Sequence, residues 1–299
     1  MKKIIVDVYG GIGNQIFQIS FANFLKQKGY EVKLCTKINK EKDVYKVDIR
    51  EEFLPIELFG FEESNSNEMF LFNILNSKFL KYLDPKNYLL RPLNKYLTWQ
   101  NDINYNLNNL GKTNRFTGYW QDPKQLLLNK KFLISSISKI NEFQENEYRN
   151  NGLTALHVRR GDYLNIGIEL DDSYYKHAIE IASREIDNFE YEIYSDDIDW
   201  VKSNKIFSDC KSFRSKKKDT SALPDFLELF CYKNFIISNS TFSLVPALLV
   251  SDSNSKVIYP DPWIKKKHNK RRLISSRVIK VLIKLIKSKN SIFKTSGTA

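Results

Sequence analysis

An apolar run, Leu153 to Val158, ends abruptly in Arg159-Arg160-Gly161-Asp162. The run reads as a short buried strand. The charges therefore fall at a strand's carboxyl end, where open α/β sheets place their ligands. Two guanidiniums fixed there fork onto a diphosphate through charge-assisted, bidentate hydrogen bonds. Asp162 is suited to orient an arginine or to accept a proton, and a salt-bridged turn is the plainer alternative. Further on, Asn239-Ser240-Thr241-Phe242-Ser243 sets a row of amides and hydroxyls between a strand, Phe235 to Ser238, and a helix, Leu244 to Val250. That is a ready anion site. A helix cap accounts for one of these polar residues, hardly for four in five. Pro246 is expected in the first helical turn, where amides lack partners.

Near the amino end, Lys2 to Val8 is a strand-like run followed by Gly10-Gly11-Ile12-Gly13-Asn14-Gln15. Apolar residues then recur at helical spacing until Gly29, and Tyr30 to Leu34 reads as a second strand. This is a doubly wound opening, yet it departs from the dinucleotide fingerprint. Ile16 stands where the third glycine belongs, and no acid closes the second strand. Asn14 and Gln15, with the turn at Gly11, suit hydrogen bonds to sugar hydroxyls or phosphate oxygens. Tyr119-Trp120-Gln121 places aromatics beside an amide, a common sugar-stacking arrangement; a buried structural tryptophan is the alternative.

The remaining elements position these groups. A helix is expected over Lys124 to Ile140, an exposed linker over Asn141 to Gly152, a helix over Tyr174 to Ile186 and a strand over Tyr191 to Tyr194. Asp197 and Asp199, after that strand, form an Asp-x-Asp that fits either a metal–diphosphate site or a helix start. Arginines already supply positive charge, so the helix start is preferred and no metal is expected. Leu223 to Tyr232 reads as a helix with Asp225 near its start. The expected division is a domain at 1–150, a second at 151–264 and a basic tail at 265–299.

The 299 residues carry a formal charge of +12. Twelve of the 47 basic residues and none of the 35 acidic ones lie in 262–299, which leaves residues 1–261 with 35 of each. The basicity belongs to the tail, which argues against a nucleic-acid-binding body and for a local anionic partner. Within Arg277 to Lys287, basic residues recur every three or four positions and mark one helical face. Residues 265–289 would suit an anionic membrane surface, the inner face of the cytoplasmic membrane. No apolar span of bilayer length is visible, and Cys35, Cys210 and Cys231 lack metal or redox spacing, so a cytoplasmic protein with reduced thiols is expected.

Five segments, in order, resemble glycosyltransferase family 11, the α-1,2-fucosyltransferases. They are Gly10 to Gln18, Gly118 to Gln121, His157-Val158-Arg159-Arg160-Gly161-Asp162-Tyr163, Ser195 to Trp200, and Asn239 to Ser243, spanning residues 4 to about 263. The His-x-Arg-Arg-x-Asp element is shared with α-1,6- and protein O-fucosyltransferases. The glycine–Asn-Gln and Ser-Thr-Phe-Ser elements point to this family. The resemblance implies an α/β fold of the glycosyltransferase-B type, with two Rossmann-like domains facing across a cleft, the first binding acceptor and the second GDP-sugar. It implies GDP-fucose as donor and metal-independent, inverting transfer to an oligosaccharide acceptor that could be lipid-linked. Arg159 or Arg160 would stabilise the leaving β-phosphate, and Thr241 and Ser243 would complete its cradle with Asn239 and Ser240. Asp225 would read guanine, and His157 and Asn14 would lie near fucose or the β-phosphate. Asp162 would take the acceptor proton, unless that proton leaves late to phosphate. Leu244-Val245 stands where the family usually has two tryptophans, which opens the alternative of another sugar nucleotide or linkage. Outside the class, an NAD-dependent oxidoreductase lacks its glycine and acid. A nonenzymatic membrane-binding protein leaves the Arg-Arg and Ser-Thr clusters without purpose.

Overall fold

Ile4, Ile5 and Val6 are fully buried in the strand β1 (Lys3–Asp7), and burial on both faces marks a strand inside a parallel sheet. The computed structural model describes residues 1–36, 53–75, 96–102, 105–141, 152–215, 221–264 and 292–296. They fall into two units, one of residues 1–10 and 14–121, the other of residues 11–13 and 122–299.

In the first unit β1 leads into α1 (Ile12–Gln27), β2 (Glu31–Cys35), α2 (Ser66–Leu75), β3 (Leu97–Asn101) and β4 (Thr113–Thr117). The strands are all parallel, in the order β2-β1-β4-β3. The apolar stripe expected for the first helix is real: Ile16, Phe17, Phe21 and Leu25 of α1 are buried. At the sheet's centre Asp7 takes both carboxylate oxygens to Arg115 Nε, at 2.9 and 3.0 Å, and accepts a further bond from Thr117.

The second unit holds α3 (Pro123–Leu128), α4 (Lys130–Ile137), β5 (Thr154–Val158), α5 (Gly161–Ile166), α6 (Asp172–Glu185), β6 (Tyr191–Ser195), α7 (Ile198–Ser203) and β7 (Ser212–Ser215). It continues with α8 (Leu223–Glu228), β8 (Asn234–Ile236), α9 (Thr241–Val250), β9 (Val257–Asp261) and β10 (Ile292–Ser296). Its six parallel strands run β10-β9-β8-β5-β6-β7. Counted within the unit this is the 3-2-1-4-5-6 order of a Rossmann fold. Tyr174, Tyr175, Ala178 and Ala182 of α6 join Leu156, Val158, Ile193 and Ile236 of the strands in one core.

Several expectations shift. The helix expected over Lys124 to Ile140 is two helices, capped by Asp122 and divided at Asn129. Both belong to the second unit, whereas the sequence reading drew its line at residue 150, outside the described residues. The helix after Asn239 starts at Thr241, three residues early, so Pro246 sits inside it and the Phe242 carbonyl loses a helical donor. The tail does not stay apart from the fold: Ile292–Ser296 adds β10 in parallel to β9. The basic face expected over Arg277 to Lys287 lies outside the described residues. Among the described residues no helix is long and apolar enough to cross a membrane.

Candidate functional site

The strand order of the second unit reverses between β5 and β8, which pair through Thr154↔Asn234 to Leu156↔Ile236. Chains leaving the two strands diverge there, and that switch point is where open α/β sheets take ligands. The two sequence clusters that looked chemically purposeful, 157–163 and 238–243, are the segments that leave these strands.

Neither arginine projects alone. Arg159 Nη2 donates to Asp162 Oδ1 at 2.5 Å and Nη1 pairs with Asp196 Oδ2 at 2.7 Å, while its Nε is buried without a partner. Arg160 donates from Nε to Asp197 Oδ2 at 3.0 Å, and its guanidinium carbon lies 3.8 Å from the Trp200 ring centroid. Its backbone N–H reaches Asp196 Oδ1 at 2.9 Å. Stacking on Trp200 and the Nε bond hold the guanidinium plane, and the terminal nitrogens of Arg160 have no partner among the described residues. A fork held this way can donate paired hydrogen bonds to an oxyanion. Gly161 is explained by the same cluster, because a Cβ there would come within 2.6 Å of Asp196 Oδ2.

The Asp-x-Asp motif resolves into different duties. Asp197 caps α7, accepting from Trp200 N at 3.3 Å while it holds Arg160. Asp199 is exposed in the first turn of α7. Asp196, which the sequence reading passed over, is the acid that touches both arginines.

The hydroxyl row before and within α9 is likewise divided. Ser240 is its N-cap, accepting from Phe242 N at 3.3 Å. Ser243 faces inward, 1% exposed, with Oγ 2.8 Å from His157 Nδ1, and Ser238 Oγ meets the same nitrogen at 2.8 Å. His157 itself is 5% exposed at the end of β5. Ser243 is therefore a correction: it fixes the imidazole rather than lining a phosphate cradle. Asn239, also buried, donates from Nδ2 to the Ile168 carbonyl at 2.7 Å, and its own backbone carbonyl accepts from Tyr163 OH at 3.3 Å. Asn239 thus ties the β8–α9 connection to the segment after α5. Burial pushes the Tyr163 phenol up in pKa, against the nearby Arg159 charge. Thr241 is half-buried in the first turn of α9. Asp225 sits half-buried in the first turn of α8, and one turn on Glu228 accepts from Tyr194 OH at 2.8 Å.

The remaining expected residues lie toward the amino end. A side chain at Gly11 would meet nothing within 4 Å. Asn14 Oδ1 accepts from Gln121 Nε2 at 2.8 Å, so these two stand together. Gln15 is fully buried: Nε2 donates to the Gly10 carbonyl and Oε1 accepts from Leu54 N, both at 2.9 Å. Its amide holds the first unit's own backbone, a correction to the sugar-binding role. Trp120 is a third correction. Its ring is 5% exposed and lies coplanar on Phe21 at 3.8 Å, inside the core. Tyr119 remains half-exposed.

The profile of Glycosyl transferase family 11 matches residues 3–272, nine-tenths of the chain. The chain belongs to this family. An Escherichia coli alpha-1,2-colitosyltransferase is 24% identical over 294 residues, covering 89% of this chain and 94% of its own. The Escherichia coli O-antigen biosynthesis glycosyltransferase WbnK is 27% identical over 296 residues, covering 85% and 92%. Among solved structures, the Arabidopsis thaliana FUT1 mutant in complex with GDP aligns with 13% identity and a TM-score of 0.49, covering 88% of this chain and 73% of its own.

As a family 11 glycosyltransferase the protein is a transferase enzyme, built on an α/β fold with two parallel sheets. Sequence reasoning had placed both of its conspicuous clusters at strand ends. It missed Asp196, Ser238 and Tyr163, which fix those clusters from other segments. Only the adjacency of Ser195-Asp196-Asp197 to a strand end hinted at the first.

Proposed function

We propose that this glycosyltransferase transfers L-fucose from GDP-fucose, with inversion and without a metal, to a hydroxyl of a surface-glycan or O-antigen acceptor, the galactose 2-hydroxyl in an α-1,2 linkage. The observation that carries the reading is the pair of guanidiniums held by Asp162, Asp196 and Asp197 at the switch point of the second sheet. In the reaction the acceptor oxygen bonds to the sugar's anomeric carbon as the bond from that carbon to the β-phosphate breaks, its electrons remaining on GDP. Arg160, with Arg159 beside it, meets the charge that develops on the leaving phosphate. Thr241 and the positive end of the α9 dipole supply further attraction for the phosphate. Asp225 reads guanine. Asp162 orients Arg159, and the acceptor proton passes to Asp162 or to the departing phosphate. The names of the two Escherichia coli relatives support α-1,2 transfer and an O-antigen acceptor.

One observation favours a second donor. The colitosyltransferase relative points to colitose, which is L-fucose without its 3-hydroxyl. Leu244 and Val245, which replace the family's usual tryptophans, are 4% and 0% exposed. That departure therefore changes the core under α9 rather than an exposed rim. Nucleoside diphosphate release, GDP from GDP-fucose or GDP-colitose and dTDP from dTDP-sugars, decides the donor. Turnover with GDP-fucose that survives EDTA is expected. Turnover with dTDP-sugars alone overturns the donor, and loss with EDTA that Mn²⁺ restores overturns the metal-free mechanism.

The basic tail supports docking on the anionic inner leaflet, where a lipid-linked acceptor would be met; each Lys or Arg near such a surface contributes about 1 kcal/mol. Because β10 falls within the tail, truncation would remove a strand of the sheet. The charges are better neutralised by substitution, with Lys280→Gln, Lys284→Gln and Lys287→Gln combined in one variant. Cosedimentation with anionic liposomes at low salt should weaken in that variant; wild-type protein left in the supernatant rejects the membrane role.

A further inference from the structure

The first unit carries its own ligand-ready edge, made of residues that the phosphate chemistry does not use. β1 and β4 are paired neighbours, Val6 opposite Phe116, and both run out at the same end of the sheet. The segments leaving them, Val8-Tyr9-Gly10 and Gly118-Tyr119-Trp120-Gln121, are joined by Gln18 of α1. This side chain is fully buried; its Oε1 accepts from Tyr9 N and its Nε2 donates to the Gly118 carbonyl, both at 3.0 Å. Asp102, just past β3, fixes the second segment by accepting from Tyr119 N at 2.7 Å and Trp120 N at 3.4 Å.

The backbone here is not the one that folding alone would choose. Trp120 has φ +52, a left-handed conformation unfavourable for a bulky residue, and its buried Nε1 has no partner. Backbone outliers of this kind cluster at ligand sites. The consequence of the turn is geometric: the indole goes into the core on Phe21, and Tyr119 is left half-exposed with its ring 5.2 Å from Tyr9, tilted by 41°. Tyr9 is half-exposed as well. Gly10, at φ +78, lets the first segment turn, and it sits beside Tyr119 Cε1 and Asn14 Nδ2, which a Cβ there would meet in ordinary contact at 3.4 Å. Asn14 and Gln121 add paired carboxamides at 2.8 Å, and Gln121 Oε1 has no partner among the described residues.

Two tilted phenols and two carboxamides at the carboxyl ends of adjacent parallel strands form an uncharged set. Uncharged donors and acceptors beside an aromatic face match a pyranose, whose C–H face stacks on rings while its hydroxyls meet amides. They do not match a diphosphate, which asks for cations. We propose that Tyr9 and Tyr119, with the Asn14–Gln121 pair, bind the terminal sugar of the acceptor, and that Gln18 is the positioning residue that holds both tyrosine segments. The inference rests on the glycosyl-transfer reading above. It replaces Trp120 with Tyr9 as the partner of Tyr119, and moves Asn14 from the donor side to the acceptor side.

The test is binding of lactose to the full-length protein with saturating GDP, followed by saturation-transfer NMR, beside GDP affinity by calorimetry. Tyr9→Leu and Tyr119→Leu keep apolar bulk without a ring and should each weaken lactose binding tenfold or more, with GDP affinity within twofold of wild type. Tyr9→Phe and Tyr119→Phe should keep most of the affinity, since the face and not the hydroxyl does the stacking. Trp120→Phe should lower the melting temperature and leave lactose binding unchanged. Unchanged lactose affinity in both leucine variants, absent lactose signals in wild type, or a loss of GDP affinity matching the loss of lactose, overturns the proposal. A wild-type protein that binds lactose but not GDP instead defeats the GDP-sugar reading and leaves the tyrosine set as a sugar site.

Discussion

Each of the two sheets carries arginine–aspartate pairing near its carboxyl edge, and the two clusters are built to opposite ends. In the first unit Asp7 and Arg115 have side chains 1% and 7% exposed, both carboxylate oxygens engaged and Thr117 as a third contact. Burial pushes the Asp7 carboxyl up in pKa even against the pull of Arg115. In the second unit the arginine and aspartate side chains are 13–29% exposed, three carboxylates serve two guanidiniums, and Arg160 keeps its terminal nitrogens clear of protein partners. A pair buried at both members contributes structure. A pair held by one edge, with donors left over, has the means to bind an anion. Arginine beside aspartate says nothing about which is present until the rest of each fork is accounted for.

The contrast breaks most visibly at Asp7. Asp7→Ala leaves a buried guanidinium uncompensated and should remove about 3–5 kcal/mol of stability, read as a shift in the urea unfolding midpoint. A loss under about 1 kcal/mol would mean that the pair is not a structural one. Any fall in activity should follow the folded fraction.

The arginines of the second unit should behave the other way round. On the proposed mechanism Arg160→Ala and Arg159→Ala each remove a donor to the leaving phosphate, worth about 3 kcal/mol or a hundredfold or more in kcat. Their unfolding midpoints should stay near wild type, since these side chains are partly solvated. Arg160→Lys should fail nearly as badly, because a point charge cannot fork. Near-normal turnover in both alanine variants erases the distinction between the two clusters.

The smallest effect tests the floor of the second cluster. Ser238→Ala removes one of the two hydroxyls at His157 Nδ1 and should lower activity about fivefold, close to 1 kcal/mol. An effect as large as that of the arginines would place His157 among the groups that touch substrate and make its orientation decisive.

The sequence alone located five of the ten described strands to within a residue or two, since β-branched runs such as Ile4-Ile5-Val6 and buried runs such as Ala155-Leu156 depend on local pattern. It placed the Arg-Arg-Gly-Asp and Ser-Thr-Phe-Ser clusters at strand ends, and the family resemblance followed from those motifs. It also favoured a helix cap for Asp197, and a cap it is. Tertiary structure decided the partners. Gln18 and Gly118 are 100 residues apart, Asp7 and Arg115 are 108, and Ser238 and His157 are 81. No local periodicity encodes such pairings, because they depend on which strands become neighbours. The same reason separates the two readings of an aromatic: Trp120 and Tyr119 are adjacent in sequence and equally suited to stack on a sugar. Only the left-handed turn at Trp120 and the waiting face of Phe21 send one ring into the core and leave the other at the surface.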